Sequence, residues 1–449
     1  MERADVQEST DLEHVNEEAT NKKLGVSRRD FFKGLAAVGV GAALASQGAQ
    51  VAKARSYFSA ADLSPEQLIE MQRMMLRIRW FERTVADRQL TGGYRSYGHF
   101  ACGHEAVAAG VSAALRRDDY VTGFHRSHHH AIAKGADLKG LAAEIEFKSD
   151  GTNRGYGGSM HLMQADVGMI GEDGVVGPGG IMAAGVAAGI KARGTDQVSV
   201  VYGGDAHFTS PYYGLALHNA RKYELPFIYV IEKNGYQIAK PFKGPAYLVN
   251  GLSGQTYLDS TTELAMSYRI PSVVVDGMSA LDVYSEMKEA VDRARAGDGP
   301  TYIEAECYRY YDHFGVGGAR LGEMGAFGRP YRSDREVRHW MARDPLVIHR
   351  RTLVDWEVLS EAEADELEAE VKDEIADAFQ FADESPVPDA RDGLKYVYLE
   401  GVVLPRQLPD CPLYVEGWVE GTPLPPDFPQ FPVGRIPTPR VRLPDTEDV

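Results

Sequence analysis

At 449 residues the chain has room for one large α/β domain, or two domains, with appendages. Its hydrophobic (44 %) and charged (25 %) fractions are those of a globular protein, and a net charge of −17 excludes a nucleic-acid binder, which needs a basic face. No run of about 20 apolar residues forms a stable membrane span, and Cys102, Cys307 and Cys411, odd in number and far apart, make neither a disulfide framework nor a metal knuckle.

Residues 1–55 stand apart from the fold. Residues 1–25 are polar and acidic, a composition that stays disordered. The following VSRRDFFKGLAAVGVGAALAS, with an A-x-A ending at Ala54, resembles a twin-arginine export leader. Such a leader implies delivery to the periplasm or the outer face of the cytoplasmic membrane, by a route that carries folded proteins. An ordinary N-terminal helix with a chance arginine pair, in a cytoplasmic protein, is the alternative.

The globular part runs from 56 to 402. The spacing over 64–92, with a serine start and an early acid, predicts an amphipathic helix, and 103–116 a second one. DYVTGF (119–124) reads as a strand that HRSHHHAIAKG (125–135) turns into a helix. Residues 151–180 are so rich in glycine that they read as loop, with helix resuming over 181–193. VSVVYGGD (198–205) is continuously apolar, like a strand covered on both faces. A helix over 211–222, the strand PFIYVIE (226–232), SVVVDG (272–277), a helix over 280–296 and TYIEAECY (301–308) continue the alternation. That pattern implies a mostly parallel sheet flanked by helices. After a glycine-rich loop (315–329), an acidic helix covers 360–382. From 403 to 449 the chain reads as an extended arm, because eleven of its 23 prolines fall between Pro405 and Pro444.

Ligands of open parallel sheets bind beyond the carboxyl ends of the strands. Asp205 and Asn234 both stand at such ends, 29 residues apart, the length of one strand–helix–strand unit. On neighbouring strands a carboxylate, an amide oxygen and the Tyr236 carbonyl would converge, a donor set suited to Mg²⁺. Gly203-Gly204 lets the backbone pass close beneath a phosphate, and the next helix start favours anions. The plainer alternative makes Asp205 a cap for the helix near Pro211 and Asn234-Gly235 a simple turn. GVVGPGG (174–180) imitates a dinucleotide fingerprint, but its final spacing is wrong and no convincing strand precedes it. No G-x-x-x-x-G-K-[ST] exists.

Gly204-Asp205, Leu225-Pro226 and Glu232-Lys233-Asn234-Gly235-Tyr236 together resemble the thiamine-diphosphate and magnesium motif of the alpha subunit of 2-oxoacid dehydrogenases. GHEA (103–106), HRSHHHAIAKG, GGSMH (157–161), GVVGPGG and YRYYDHF (308–314) resemble further segments of that family, in order, over roughly residues 65–400. HRSHHHAIAKG, NGY and Tyr311 look most like the acetoin dehydrogenase branch, with pyruvate and branched-chain enzymes as close siblings.

The resemblance implies the thiamine-diphosphate-binding fold and these roles. Asp205, Asn234 and Tyr236 hold Mg²⁺ on the diphosphate, Gly204, Ala206 and His207 line the same turn, and His125 and Arg126 contact the phosphates. Gly174 and Val176 line the aminopyrimidine. His128 and His313 stand beside the reacting carbon and the acyl acceptor; of the run His128-His129-His130, one functional histidine is favoured over a metal site, since successive helical residues point apart. The implied reaction cleaves a 2-oxoacid or acetoin next to its carbonyl and passes the acyl group to a lipoyl-bearing acyltransferase or another oxidising acceptor. The implied assembly is an α2β2 heterotetramer whose beta subunit supplies a glutamate.

Three positions depart from the family's pattern. Ala206 and His207 replace the usual glycine and alanine after Asp205, and an alanine forced to positive φ would cost about 1–2 kcal/mol. Phe314 stands where mitochondrial pyruvate enzymes carry a phosphorylated serine. These departures and the leader motivate a second reading, an exported or degenerate cofactor-binding paralogue without turnover.

Overall fold

The computed structural model describes residues 62–94, 96, 98–242, 256 and 258–389. The leader and the proline-rich arm read from the sequence lie outside the described residues. Contacts divide the chain after Pro388, and the unit ending there carries the fold described below.

The first helix, α1 (Pro65–Leu90), starts at a capping box in which Ser64 and Gln67 satisfy each other's backbone amides. Leu68, Met71, Met75, Ile78, Phe81 and Val85, spaced three or four apart, form its buried stripe. Its buried Arg79 bonds Glu105 at 2.5 Å and Asp344 at 2.8 Å, tying three segments together. Next come α2 (Glu105–Ala113), β1 (Tyr120–Phe124), α3 (His128–Ala133), α4 (Leu138–Ile145), β2 (Met169–Asp173), α5 (Pro178–Arg193), β3 (Ser199–Gly204), α6 (Pro211–Lys222) and β4 (Phe227–Lys233). A two-stranded pair, β5 (Tyr236–Gln237) and β6 (Lys240–Pro241), precedes α7 (Thr262–Ser267), β7 (Ser272–Asp276), α8 (Ala280–Arg295) and β8 (Thr301–Glu306). Three helices end the described chain: α9 (Asp334–Met341), α10 (Pro345–Asp355) and α11 (Glu361–Glu384).

Six strands form one parallel sheet in the order β2-β1-β3-β4-β8-β7. The apolar runs divide between its two faces with period two. Val200 and Tyr202 of β3 and Ile228 and Val230 of β4 join one core, with α1, α2 and α8. Val201, Tyr229 and Ile231 join the other, against Ala183 and Ala187 of α5 and Leu217 of α6. The protein is therefore an α/β sandwich with helices on both faces of the sheet, as expected from its continuous apolar strands.

The glycine-rich segment 151–180 is not all loop. Met169–Asp173 pairs with β1 as an edge strand, and α5 begins at Pro178 rather than 181. A strand therefore does precede GVVGPGG. The loop itself is organised by buried Glu144 of α4, whose carboxylate accepts the backbone N–H groups of Asn153, Gly155, Gly157 and Gly158 at 2.7–3.1 Å. At Gly157 a Cβ would lie 2.2 Å from the His161 carbonyl oxygen, so close backbone approach explains the residue.

Candidate active site

Loops from five adjacent strands meet at the carboxyl edge of the sheet, and each carries residues singled out by sequence. In sheet order these are Gly174 and Val176 after β2, His125 and Arg126 after β1, Asp205 after β3, Asn234 and Tyr236 after β4, and His313 beyond β8. Chain direction across the sheet reverses between β1 and β3, the crevice where such folds bind ligands. From β2 to β4 there are three strand spacings of ~4.8 Å, so a ligand reaching both ends is elongated, about 14 Å.

At the β3–β4 end, Gly204 pairs with Glu232, and Asp205 and Asn234 follow on either strand. Asp205 is 2 % exposed, and its Oδ2 has no hydrogen-bond partner. Burial pushes its carboxyl up to about 6; the backbone amides of Asp205 itself and Gly235 and the positive charges of Arg309 and Lys233 oppose the rise. It does not cap α6, whose N-cap is Ser210. Asn234 Oδ1 accepts the Tyr236 N–H at 3.3 Å across Gly235, which takes φ +88° to make the turn. A buried, unpartnered carboxylate oxygen beside an amide oxygen fits a hard divalent cation.

Ala206 and His207 fit this turn without strain. Ala206 has φ −84°, so its methyl carries no backbone penalty. His207 folds back under the strand end, where its Nδ1 accepts the Gly204 N–H at 2.7 Å, which leaves the proton on Nε2. Its ring occupies the space above Gly203: a Cβ there would lie 2.8 Å from His207 Cγ. The glycine at 203 thus makes room for an imidazole of the same chain.

Next to the Asp205 turn lies a cationic cradle. Arg126, 2 % exposed, donates to the carbonyls of Phe100 at 2.6 Å and His313 at 2.9 Å. Arg309, fully buried, donates to the Ile238 carbonyl and the Tyr331 hydroxyl, while its Nε and Nη1 have no partner. Burial lowers both guanidiniums; the charge of Arg309 helps bring Arg126 down to about 10, and that of Arg332 adds to the lowering of Arg309. Around them the rings of His99, His125 and His313 stand 4.6–5.5 Å apart. Burial, then the neighbouring Arg126, holds each of these histidines near 2, so all three are neutral. Two buried cations, one of them (Arg309) with unused donors, and neutral imidazoles suit a multiply charged anion such as a diphosphate.

Two of these residues, His99 and Arg309, were not legible as site residues. A guanidinium within the aromatic run YRYYDHF was the available signal for Arg309, because a charge there is forced inward. For His99 there was none. Conversely, His128 keeps separate company from the three-histidine group. It is 1 % exposed, with Nδ1 3.1 Å from Glu82 Oε1 and Nε2 2.8 Å from Ser159 Oγ. Glu82 fixes the proton on Nδ1, and Nε2 accepts the serine hydroxyl. At the opposite end, Gly174 is exposed and Val176 half-buried, and Asp173 accepts the Gly179 N–H at 2.5 Å, anchoring the start of α5. Burial raises the Asp173 carboxyl to about 6.

A parallel sheet whose carboxyl edge gathers a buried carboxylate, an amide, two guanidiniums and neutral imidazoles has the architecture of a cofactor-dependent α/β enzyme. The chain belongs to the family described as dehydrogenase E1 component, which it matches over residues 72–391, and it is an oxidoreductase of the thiamine-diphosphate-dependent kind that this family comprises. It is 37 % identical to the alpha subunit of acetoin:2,6-dichlorophenolindophenol oxidoreductase of Bacillus subtilis, over 75 % of this chain and 95 % of that one. The subunit of the same name from Cupriavidus necator is 32 % identical over 78 % and 99 %. The pyruvate dehydrogenase E1 component subunit alpha of Zymomonas mobilis is 34 % identical over 72 % and 86 %. Residues 25–45 match the twin-arginine translocation pathway signal sequence, the mark of export across the cytoplasmic membrane. Among the described residues no helix is long and apolar enough to cross a membrane.

Proposed function

We propose that this chain is the alpha subunit of a dehydrogenase that cleaves acetoin or a pyruvate-like 2-oxoacid and works with a separate beta subunit in an α2β2 heterotetramer. The observation that carries this reading is that Asp205 Oδ2 is unpartnered and that Arg309, whose charge acts on Asp205, has unpartnered Nε and Nη1. Both are groups that burial penalises unless a ligand completes them. Asp205, Asn234 and the Tyr236 carbonyl would hold Mg²⁺. Arg126, His125 and Arg309 would take the diphosphate, and Gly174 and Val176 the aminopyrimidine. When bound, thiamine diphosphate supplies the nucleophilic carbon that no amino-acid side chain offers.

The neutral His313, on the loop after β8, would donate a proton to or accept one from substrate oxygen. His128, oriented by Glu82, would act through Ser159. Beside Gly174 and Val176, exposed apolar Val175, Met182, Tyr212 and Leu215 stand around the first turns of α5 and α6. The beta subunit would cover this rim and supply the acid that faces the aminopyrimidine. A lipoyl group or another oxidant would take the acyl fragment, and the periplasm is the proposed site of action.

The test is dye reduction by the purified chain with and without a co-expressed beta subunit, given thiamine diphosphate, Mg²⁺ and acetoin or pyruvate. Turnover only with both subunits supports the proposal. Turnover by this chain alone, or none in a complex that binds the cofactor, contradicts it.

A further inference from the structure

A second histidine group lies apart from the cradle, inside the fold. Glu232, next to last in β4, shares the sheet face of Ile228 and Val230 and reaches toward α2 and α3. Three imidazoles converge on it. His129 Nε2 is 2.7 Å and His130 Nε2 3.2 Å from Oε1, and His104 Nδ1 is 3.3 Å from Oε2. One ligand atom from each of His104, His129 and Glu232 lies within 4.8 Å of the other two. None of the four residues is more than 1 % exposed.

We propose that His104, His129 and Glu232, with His130 packed beside them, form a structural site for a first-row transition metal, with Zn²⁺ the natural occupant. Metal–nitrogen bonds of about 2.0 Å in a tetrahedron put neighbouring ligand atoms about 3.3 Å apart. His104 Nδ1 already stands at that separation from Oε2 of Glu232, and His129 Nε2, 2.7 Å from Oε1, would open by about 0.6 Å. Two imidazoles and one carboxylate are a set that selects zinc or cobalt over magnesium.

The rings are fixed before any ion arrives. His130 stacks on Tyr202 at 3.6 Å and 14°, His129 lies 3.8 Å from His130, and His130 Nδ1 meets Ser127 Oγ at 3.0 Å. The run 128–130 alone would not make such a site. His128 turns to Glu82, and only His104 and Glu232, distant in sequence, complete the group around the other two.

With no ligand open to solvent, the ion would enter during folding and resist chelation afterwards. The measurement is elemental analysis of the full chain, co-expressed with its beta subunit in zinc-supplemented medium and dialysed against EDTA. About one zinc per chain is expected, retained in Asp205→Ala, which disrupts only the magnesium corner, and lost in His104→Gln/His129→Gln. Protein grown on cobalt should show the visible absorption of protein-bound Co²⁺, altered in His129→Gln alone, which serves if the double variant does not fold. Wild-type protein without transition metal would overturn the proposal. So would zinc that persists in the double variant, or zinc that is lost on substituting His99 or His125.

Discussion

Asp205 and Asn234 stand beyond the ends of two hydrogen-bonded parallel strands, kept in step by the pairing of Gly204 with Glu232. Parallel register fixes their separation, and burial leaves Asp205 Oδ2 unpartnered. The corner is therefore preformed and energetically incomplete, the state expected of a site whose ligand contributes to stability.

Cofactor-free protein should record this cost in its pH dependence. The Asp205 carboxyl is raised by burial from 3.8 to about 6, so the native state holds a proton that the unfolded chain releases. Its contribution is then favourable below 3.8 and is lost as pH rises through about 6. Asp205→Asn should remove this dependence and stabilise the cofactor-free chain at neutral pH by up to about 3 kcal/mol. Thermal melts across the acid range check it; an unchanged profile would refute the assignment. Magnesium binding should weaken as pH falls through about 6, because the ligand must be ionised.

Arg309→Gln removes two buried N–H groups with no partner in the chain. A charge-assisted hydrogen bond is worth about 1.5–3 kcal/mol, so cofactor affinity should fall roughly 10- to 100-fold. In steady-state kinetics the KM for thiamine diphosphate should rise far more than the KM for acetoin. Equal changes in both would place Arg309 elsewhere in the reaction.

At the strand end, Gly203→Ala puts a methyl 2.8 Å from His207 Cγ and should destabilise the fold by roughly 1–3 kcal/mol. Shrinking the imidazole in Gly203→Ala/His207→Ala should recover much of that loss. Denaturant unfolding of the two single variants and the double variant gives the coupling energy. Additive effects would show that the ring and the glycine do not share the space.

Glu144→Gln tests the glycine-rich segment. Four backbone N–H groups rely on this carboxylate, and an amide can serve only part of them, at a cost of about 1–3 kcal/mol. Limited proteolysis should move to residues 151–158 in the variant and not in the wild-type chain.

The sheet and the placing of Asp205 and Asn234 at adjacent strand ends were legible because they follow from simple periodicities. Alternate residues of β3 and β4 enter opposite cores, and the interval from Asp205 to Asn234 is one strand–helix–strand unit. Strand β2 was hidden because it is an edge strand whose Gly171 and paired carboxylates Glu172 and Asp173 break the apolar pattern. Helices α9 and α10 are short, and charged residues interrupt their apolar spacing. His99, Arg309 and the Glu232 cluster depend on contacts between distant segments, which no local spacing encodes. Ala206, a doubtful replacement in sequence, proved harmless once its φ of −84° was known.

The most direct test is calorimetric titration of the alpha–beta complex with thiamine diphosphate and Mg²⁺, alongside the same complex carrying Asp205→Ala. Saturable binding that needs both components and disappears in the variant is the expected result. A wild-type complex that does not bind, or a variant that binds equally well, would contradict the assignment of this corner as the magnesium–diphosphate site.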